Sequence, residues 1–570
     1  MLSVSFPVTH RADRTEPAAA PPGRPRVASW HRWDPPRAVR LATALLGLAA
    51  IATYLVTALI RLGYPFPLEY LESNSLVEVQ RILGGRPLYA APAVGYVPDG
   101  YPPLYFATSA VAASVLGLSY LPLRLVSLMS SLACFAVLGR LVQRETASAA
   151  AGMASAGLLA GTYFVTGTWF DVARVDSLFI ALSVAALCAA RSMRRTRGAV
   201  VTGLLLAAAF LPQQNGLAEG VAVLTALAFG PRRRLAGTAA LTYGAVLGIS
   251  TLALGLASRG WYVYYVFVLM TEHTLNHAAF GQFWTLHLLP VLGIAGCALI
   301  LGARRMPLVL VAGCVALIVE SYAALVHSGG EANDLLPAYL AVALLAGLAL
   351  GDQPGALVSA AADQLARTRV ARWRAGQVRR WAAAAAAALV LAQLAVLVNG
   401  FHPGRAIPTS ADRAAGWRLA AGMRAFGGAI AVPSDPGLDL LAGLPAVAHQ
   451  GAADDVLRAS GTTGTESFQS SAARAVAAQR FSAIVTENTG PPDGFPRDLT
   501  RYYHRCPQTL LRDVPPAVFQ AVAGPPGRPT YVWLPTGGAS CEATVRALNG
   551  AVAATPPAGA GRSRSSGGTT

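Results

Sequence analysis

Charge is what this chain has least of. Only 13% of its 570 residues are Asp, Glu, Lys or Arg, while 54% are apolar; a soluble domain carries about 25% charge. The shortfall excludes an ordinary soluble enzyme. The apolar residues also fall into long runs, so the chain reads as a polytopic membrane protein. Acids are scarcer than bases, 28 against 45, which leaves a net charge of +17. That excess does not indicate nucleic acid as a partner, because the arginines crowd into 11–40, Arg191–Arg197, Arg232–Arg234, Arg304–Arg305 and Arg367–Arg380. Short basic segments between apolar runs are expected on the cytoplasmic side. Cysteine is scarce as well. Four of the six, Cys134, Cys188, Cys297 and Cys314, sit in or beside apolar runs and read as small core residues. No spacing matches a zinc or iron–sulfur site. Cys506 and Cys541 alone fall in the C-terminal polar portion, where pairing and free thiols carry equal weight. No glycine-rich fingerprint follows a strand, which removes the dinucleotide-binding class.

What is present is a series of candidate spans: 41–60, 123–139, 148–165, 177–190, 198–212, 215–229, 235–256, 286–302, 307–324, 333–349 and 382–399. The first is read as a retained helix, not a cleaved signal. The apolar segment 104–118 decides the topology. Counted as a crossing, it puts every later arginine cluster outside; taken as a re-entrant or interfacial helix, it puts them all inside. The second choice gives eleven crossings, with the N-terminus inside and the C-terminus outside. The expected fold class is an α-helical polytopic membrane protein with about 11 transmembrane helices plus juxtamembrane helices. Residues 1–40 form a disordered basic tail, 41–399 the membrane domain, 400–547 an extracytoplasmic α/β domain and 548–570 a disordered tail. Within 400–547, "GGAIAVPSD" and "PTYVWLP" read as strands, and "AARAVAAQRFSAIVTEN" as a helix followed by a strand.

The remaining acids and histidines gather in the loops placed outside. If "LEYLESNSLVEVQRILGG" is helical, Glu69 and Glu72 share a face, Leu76, Val79, Ile82 and Leu83 make an apolar stripe, and Gly84-Gly85 ends the helix. Asp171, Arg174 and Asp176 stand at the rim of a span, where charge is costly unless paired or wetted. Arg174 is placed to pair with either acid, or to reach a phosphate. Gln213 and Gln214 follow Pro212 in a tight turn and offer amides to a sugar or head group. His273 and His277, four apart, read as one helical face. Because Glu272 precedes His273, the metalloprotease motif is absent. "HSGGEANDLLP" brings Glu331 and Asn333 to the start of another span, with Gly329-Gly330 allowing close backbone approach.

The ordered set "LEYLESNSLVEVQRILGGRPLY", "GYPPLYF", "ARVDSLF", "FLPQQNG" and "GGEANDLLP" resembles the GT-C membrane glycosyltransferases, in the bacterial branch related to protein mannosyltransferases and aminoarabinose transferases. The resemblance covers roughly 41–350 and implies a GT-C-like fold with its active site on the outer face. It implies a polyprenyl-phosphate-linked sugar donor and a lipid, glycan or protein acceptor. It puts the family's acidic pair at Glu69, where an Asp is usual, and Glu72, and an Arg-Xaa-Asp element at Arg174 and Asp176. Transfer needs a carboxylate to take the acceptor proton, which makes Glu69 the expected base, with Glu72 orienting it or the acceptor. One departure is Gln213, where many relatives carry lysine. The lost cation would have to come from Arg174, His273 or Arg61. No cofactor is expected, a divalent cation being the one candidate, and membrane lipids are expected partners. The rival expectations are a transporter or flippase of a lipid-linked glycan, which would need acids deep within spans, and a non-catalytic envelope assembly protein.

Overall fold

The computed structural model describes residues 35–302, 306–351, 369–491, 495, 498–525 and 527–550. Most of the basic tail 1–40, Arg304–Arg305, most of the loop 351–381 and the tail beyond 550 lie outside the described residues. Helices occupy every run expected to cross: α1 (Pro35–Arg61), α4 (Tyr120–Thr146), α5 (Ala149–Gly161), α6 (Asp176–Ser192), α7 (Thr196–Phe210), α8 (Gly216–Ala228) and α9 (Arg233–Ala257) come first. Four more follow, at Leu289–Gly302, Leu308–Leu325, Leu336–Ala349 and Arg369–Asn399. Seven helices among the described residues are long and apolar enough to cross a membrane. By contrast α5, α7 and α8 have only 13 to 15 residues. At 1.5 Å per residue they reach about 20 Å, short of a ~30 Å hydrocarbon core.

Small residues set how closely the bundle packs. A Cβ on Gly157 of α5 would lie 2.2 Å from Cα of Gly47 on α1, so the two backbones touch where the helices cross. Two further helices stand outside this series, α2 (Glu72–Leu83) and α3 (Leu104–Leu116). α3 is a 13-residue helix that buries Tyr105, Phe106 and Ala110 while exposing Val111 and Val115. An apolar helix with one exposed apolar side suits the membrane interface. Leu76 and Val79 of α2 bury against Ala110 and Ala113 of α3, so the expected stripe faces the bundle, while Leu83 remains exposed. Gly85 follows α2 at φ +65°, a conformation that costs glycine little.

After residue 400 the chain forms a four-stranded mixed sheet in the order β1 (Ile430–Ala431), β2 (Ala483–Thr486), β4 (Tyr531–Pro535), β3 (Tyr503–Thr509). β1 and β2 are parallel; β4 runs antiparallel to β2 and β3. Cys506 and Cys541 form a disulfide that ties β3 to the helix Cys541–Leu548. His504 lies close to both sulfurs, but the disulfide leaves no thiolate to join it as a metal ligand. This portion is stitched onto the segment between α1 and α4. Val522 and Ala523 N–H both donate to Leu68 O, Ala448 N–H donates to Val94 O, and Phe66 packs edge-on against Trp417 and Phe519.

Candidate functional site

α2 begins at Glu72, so Glu69 precedes the helix and the two carboxylates do not share a helical face as expected. The backbone at Glu69 pairs instead with Ala523, which holds it extended. Their environments are opposite. Glu72 is completely buried and receives Arg124 through both oxygens, Nε at 2.9 Å and Nη2 at 2.6 Å. It also accepts from Leu68 N–H and Ala173 N–H. Burial opposes its charge, but Arg124 and these donors hold Glu72 below the usual carboxylate range. Arg124 spends its remaining N–H groups on Tyr64 O and Phe66 O. Glu72 therefore joins α2, α4 and two loops.

Glu69 is equally buried but accepts only Leu71 N–H within hydrogen-bond range. Its nearest cation is Arg174, with Nε 3.8 Å away. Burial pushes the Glu69 carboxyl up to about 8, and Arg174 offsets only part of that effect. Arg174 stands at the centre of three acids, with Asp99 and Asp176 each at 3.9 Å. Of its guanidinium, only Nη2 has a hydrogen bond, to Tyr101 Oη at 3.1 Å; Nε and Nη1 have none. The rings of Tyr101 and Trp169 lie beside it. Asn333 donates to Asp176 Oδ1 at 2.9 Å, and Asn74 donates to Asp99 Oδ1 at 2.7 Å. Glu78 accepts Asp99 N–H. Burial pushes Asp99 up to about 6, and burial beside Asp99 raises Glu78 well above the usual range. Among the described residues, the second oxygens of Asp99, Asp176 and Glu78 accept no hydrogen bond; those of Asp99 and Asp176 meet Arg174 only at 3.9 Å. The result is a buried polar cleft holding more carboxylates than one guanidinium can satisfy.

The other expected residues separate into two groups. Asn333 and Asp176 reach the cleft directly. Asp171 does not, because both of its oxygens bind Arg61, at 2.6 and 2.7 Å, and Tyr163 donates to the same carboxylate. Arg61 is fully buried in that pair and in bonds to Thr168 and Ala406. His273 is held through Nε2 at Asp455 O and stacks on His327 at 4.5 Å; burial lowers it below the ordinary imidazole value. His277 opens a separate short helix and is exposed, so the two histidines do not form one face. Of Arg174, His273 and Arg61, the three cations expected to stand in for the missing lysine, Arg174 keeps N–H groups in the cleft without a hydrogen bond among the described residues. Gln213 is buried in the turn after α7 and Gln214 keeps an unpartnered Oε1, while Glu331 is exposed and caps the turn that carries Asn333. A Cβ on Gly330 would meet Ala324 O at 2.6 Å, so that glycine accommodates its own helix end, not a ligand.

Asp99, Glu78, Tyr101 and Arg124 were not singled out from the sequence. Asn74 and Glu78 stand four apart on α2, a signal visible in the spacing. Arg124, a lone cation opening an apolar run, was another. Asp99 gave no local sign, since its partners come from distant turns. A further pair lies inside the bundle: Glu219 of α8 and Glu320 of the helix Leu308–Leu325 are buried, and none of their oxygens has a hydrogen-bond partner. Ser183 and Tyr243 nearby carry unpartnered hydroxyls. Acids deep within spans, which the transporter expectation would need, are therefore present.

No protein-family model matches the chain, and no curated relative matches it. Among solved structures it is similar to ArnT from Cupriavidus metallidurans bound to undecaprenyl phosphate, at 16% identity and a TM-score of 0.48, covering 70% of this chain and 85% of that one. It is also similar to the Archaeoglobus fulgidus oligosaccharyltransferase, at 13% identity and a TM-score of 0.39, covering 79% of this chain and 68% of that one. A third similarity is to the arabinosyltransferase EmbB from Mycobacterium smegmatis, at 13% identity and a TM-score of 0.32, covering 66% of this chain and 42% of that one. These are likenesses of arrangement, and they carry no argument about substrate or mechanism.

Proposed function

We propose that this chain is a membrane glycosyltransferase that moves a sugar from a polyprenyl-phosphate carrier to an acceptor at the outer face of the membrane. The observation that carries the reading is the Glu69–Arg174 arrangement. A buried carboxyl that titrates near 8 stands 3.8 Å from a guanidinium with two unbonded nitrogens. A general base works best with a pKa near the operating pH, and a leaving phosphate needs a fixed cation. In the reaction the acceptor oxygen attacks the anomeric carbon and the carbon–oxygen bond to phosphate breaks. Glu69 takes the acceptor proton, and Arg174 faces the departing phosphate. Glu72 acts through Arg124 to fix the loop on which Glu69 rides. It is a positioning residue.

One guanidinium among several carboxylates would repel a phosphate if every acid were ionised. The raised values of Glu69 and Glu78 reduce that charge near neutral pH. Mass spectrometry of lipid-linked sugars and envelope glycans, with and without the gene, tests the reading. Accumulation of one polyprenyl-phosphate sugar, with loss of that sugar from a glycan, supports it. No change in either pool while the protein is expressed contradicts it.

The Glu219–Glu320 pair favours a second reading, a proton- or cation-coupled carrier of a lipid-linked glycan, because unpaired acids inside a bundle mark ion pathways in transporters. Replacing both with glutamine separates the two. A carrier loses translocation of the glycan; a transferase keeps its product.

A further inference from the structure

A recess opens between the segment Tyr64–Tyr70 and the C-terminal portion. Its enclosed cavity volume is ≈ 30 Å³, or ≈ 400 Å³ with the open mouth and solvent space included, and Phe66, Tyr70 and Phe519 give it aromatic walls. Ser434, Asp435 and Glu487 line the same space, and among the described residues no lysine or arginine does. Ser434 is 5% exposed, and its hydroxyl sits beside the Glu487 carboxylate without a well-formed hydrogen bond among the described residues. Asp435 is 6% exposed and uses one oxygen to cap Leu438 N–H. A Cβ on Gly527 would come within 2.2 Å of Glu487 Oε1, so the glycine leaves the space that this carboxylate occupies.

These groups restrict the ligand. Two acids without a cation exclude an anion. Burial, together with the charge of Glu487, pushes Asp435 up to about 7, and burial pushes Glu487 to about 7. Both would gain from ligand donors. Aromatic walls favour a ligand with an apolar face, and a few convergent polar groups fix its orientation. A sugar ring supplies both an apolar face and adjacent hydroxyl donors. Position names its side of the reaction. Pro67 and Tyr70 line the recess and flank Glu69 within three residues, while Leu68 carries the pairing to Val522 and Ala523. We propose that this recess binds a saccharide unit of the acceptor, by stacking on its aromatic walls and hydrogen-bonding to Ser434, Asp435 and Glu487. Assignment to the acceptor rests on the transferase reading; saccharide binding itself does not.

The test uses the full chain in nanodiscs, probed by saturation-transfer NMR with methyl glycosides of mannose, galactose and arabinose, and with glucosamine. At least one should bind. Glu487→Gln and Gly527→Ala should each weaken that binding by about tenfold, the loss expected from one charge-assisted hydrogen bond. Glu69→Gln should leave binding unchanged, which separates this site from the proposed base. Preference for glucosamine over the neutral glycosides supports the site and narrows its ligand to an ammonium-bearing sugar. Absence of binding by every probe, or binding insensitive to both recess variants, overturns the proposal. So does lysine binding as well as glucosamine. In a transfer assay Glu487→Gln should raise the acceptor KM with the donor KM unchanged. A normal acceptor KM despite weakened glycoside binding would overturn the acceptor assignment while leaving transfer itself intact.

Discussion

Three residues separate Glu69 from Glu72, and their substitutions should have opposite consequences. Removing one partner of a buried ion pair leaves the other charge uncompensated and costs about 3–5 kcal/mol. Glu72→Gln should therefore lower the thermal midpoint sharply and reduce the yield of folded protein, because Arg124 loses its carboxylate. Glu69→Gln should leave the fold intact and cut transfer by about 10²–10⁴, the range for loss of a general base. A Glu69→Gln protein with normal turnover would remove the base from the account. The pH dependence follows from the same contrast. Glu69 works only when deprotonated, so wild-type turnover should rise with pH through about 8 and then level off. Stability should change in the other direction. Folded Glu69 keeps its proton to about 8, while the unfolded residue releases it near 4.5, so its contribution is full below 4.5 and is lost as pH rises through 8. Glu72 has the opposite sign, because its lowered value gives stability that disappears as pH falls. Comparing the thermal midpoint of wild type and Glu69→Gln across this range should show the wild type losing ground as pH rises. A constant difference would contradict the buried, protonated carboxyl.

Among the elements, α3 decides which face the site occupies. If it lies along the membrane, loops on its two sides fall as the arginine distribution requires. Cysteines introduced as Arg86→Cys, before α3, and Arg144→Cys, after α4, with Cys188 and Cys297 replaced by alanine, should label from opposite faces; Arg86 and Arg144 are both exposed. Labelling from the same face would make α3 a crossing and move the arginine clusters outside. Much at this scale was legible in the sequence. Apolar length located the helices, and β-branched or aromatic runs located β1, β2 and β4. β3 was missed for a physical reason. "YHRCPQT" has no apolar alternation, Pro507 cannot donate to the ladder, and the pairing with β4 breaks register between Arg505 and Thr509. Such a strand survives because it is at the edge of the sheet and the disulfide ties it down. The site was legible only in part. Sequence order exposed Glu69, Arg174, Asp176 and Asn333, but the union of Asp99 with Arg174 depends on a loop closing over α2. The opposite fates of Glu69 and Glu72 depend on where α2 begins.

At the scale of the whole molecule, the C-terminal portion is a working wall of the cleft. It holds Leu68 through two backbone hydrogen bonds, meets Glu69 at Ala523, and fixes Tyr70 O through His449 Nε2 at 2.9 Å. His449 Nδ1 accepts Gly451 N–H, which assigns the ring proton to Nε2. Burial lowers His449 to about 3, so this contact should persist across the working pH range. The Cys506–Cys541 bond closes 35 residues of this portion and should contribute about 2–4 kcal/mol. Reduction, or paired serine substitution, should lower the midpoint of the C-terminal portion before that of the bundle. A single unchanged transition would show that the disulfide contributes nothing.

The central claim is that Glu69 accepts a proton during sugar transfer beside Arg174. Its most direct test is single-turnover transfer by purified chain in lipid, using a radiolabelled polyprenyl-phosphate sugar and an envelope glycolipid extract. Wild type is measured against Glu69→Gln from pH 6 to 10. The account requires a wild-type rate that climbs to a plateau above about 8, and a Glu69→Gln rate that is low and independent of pH while donor binding is retained. Equal rates and identical pH profiles for the two proteins would contradict it.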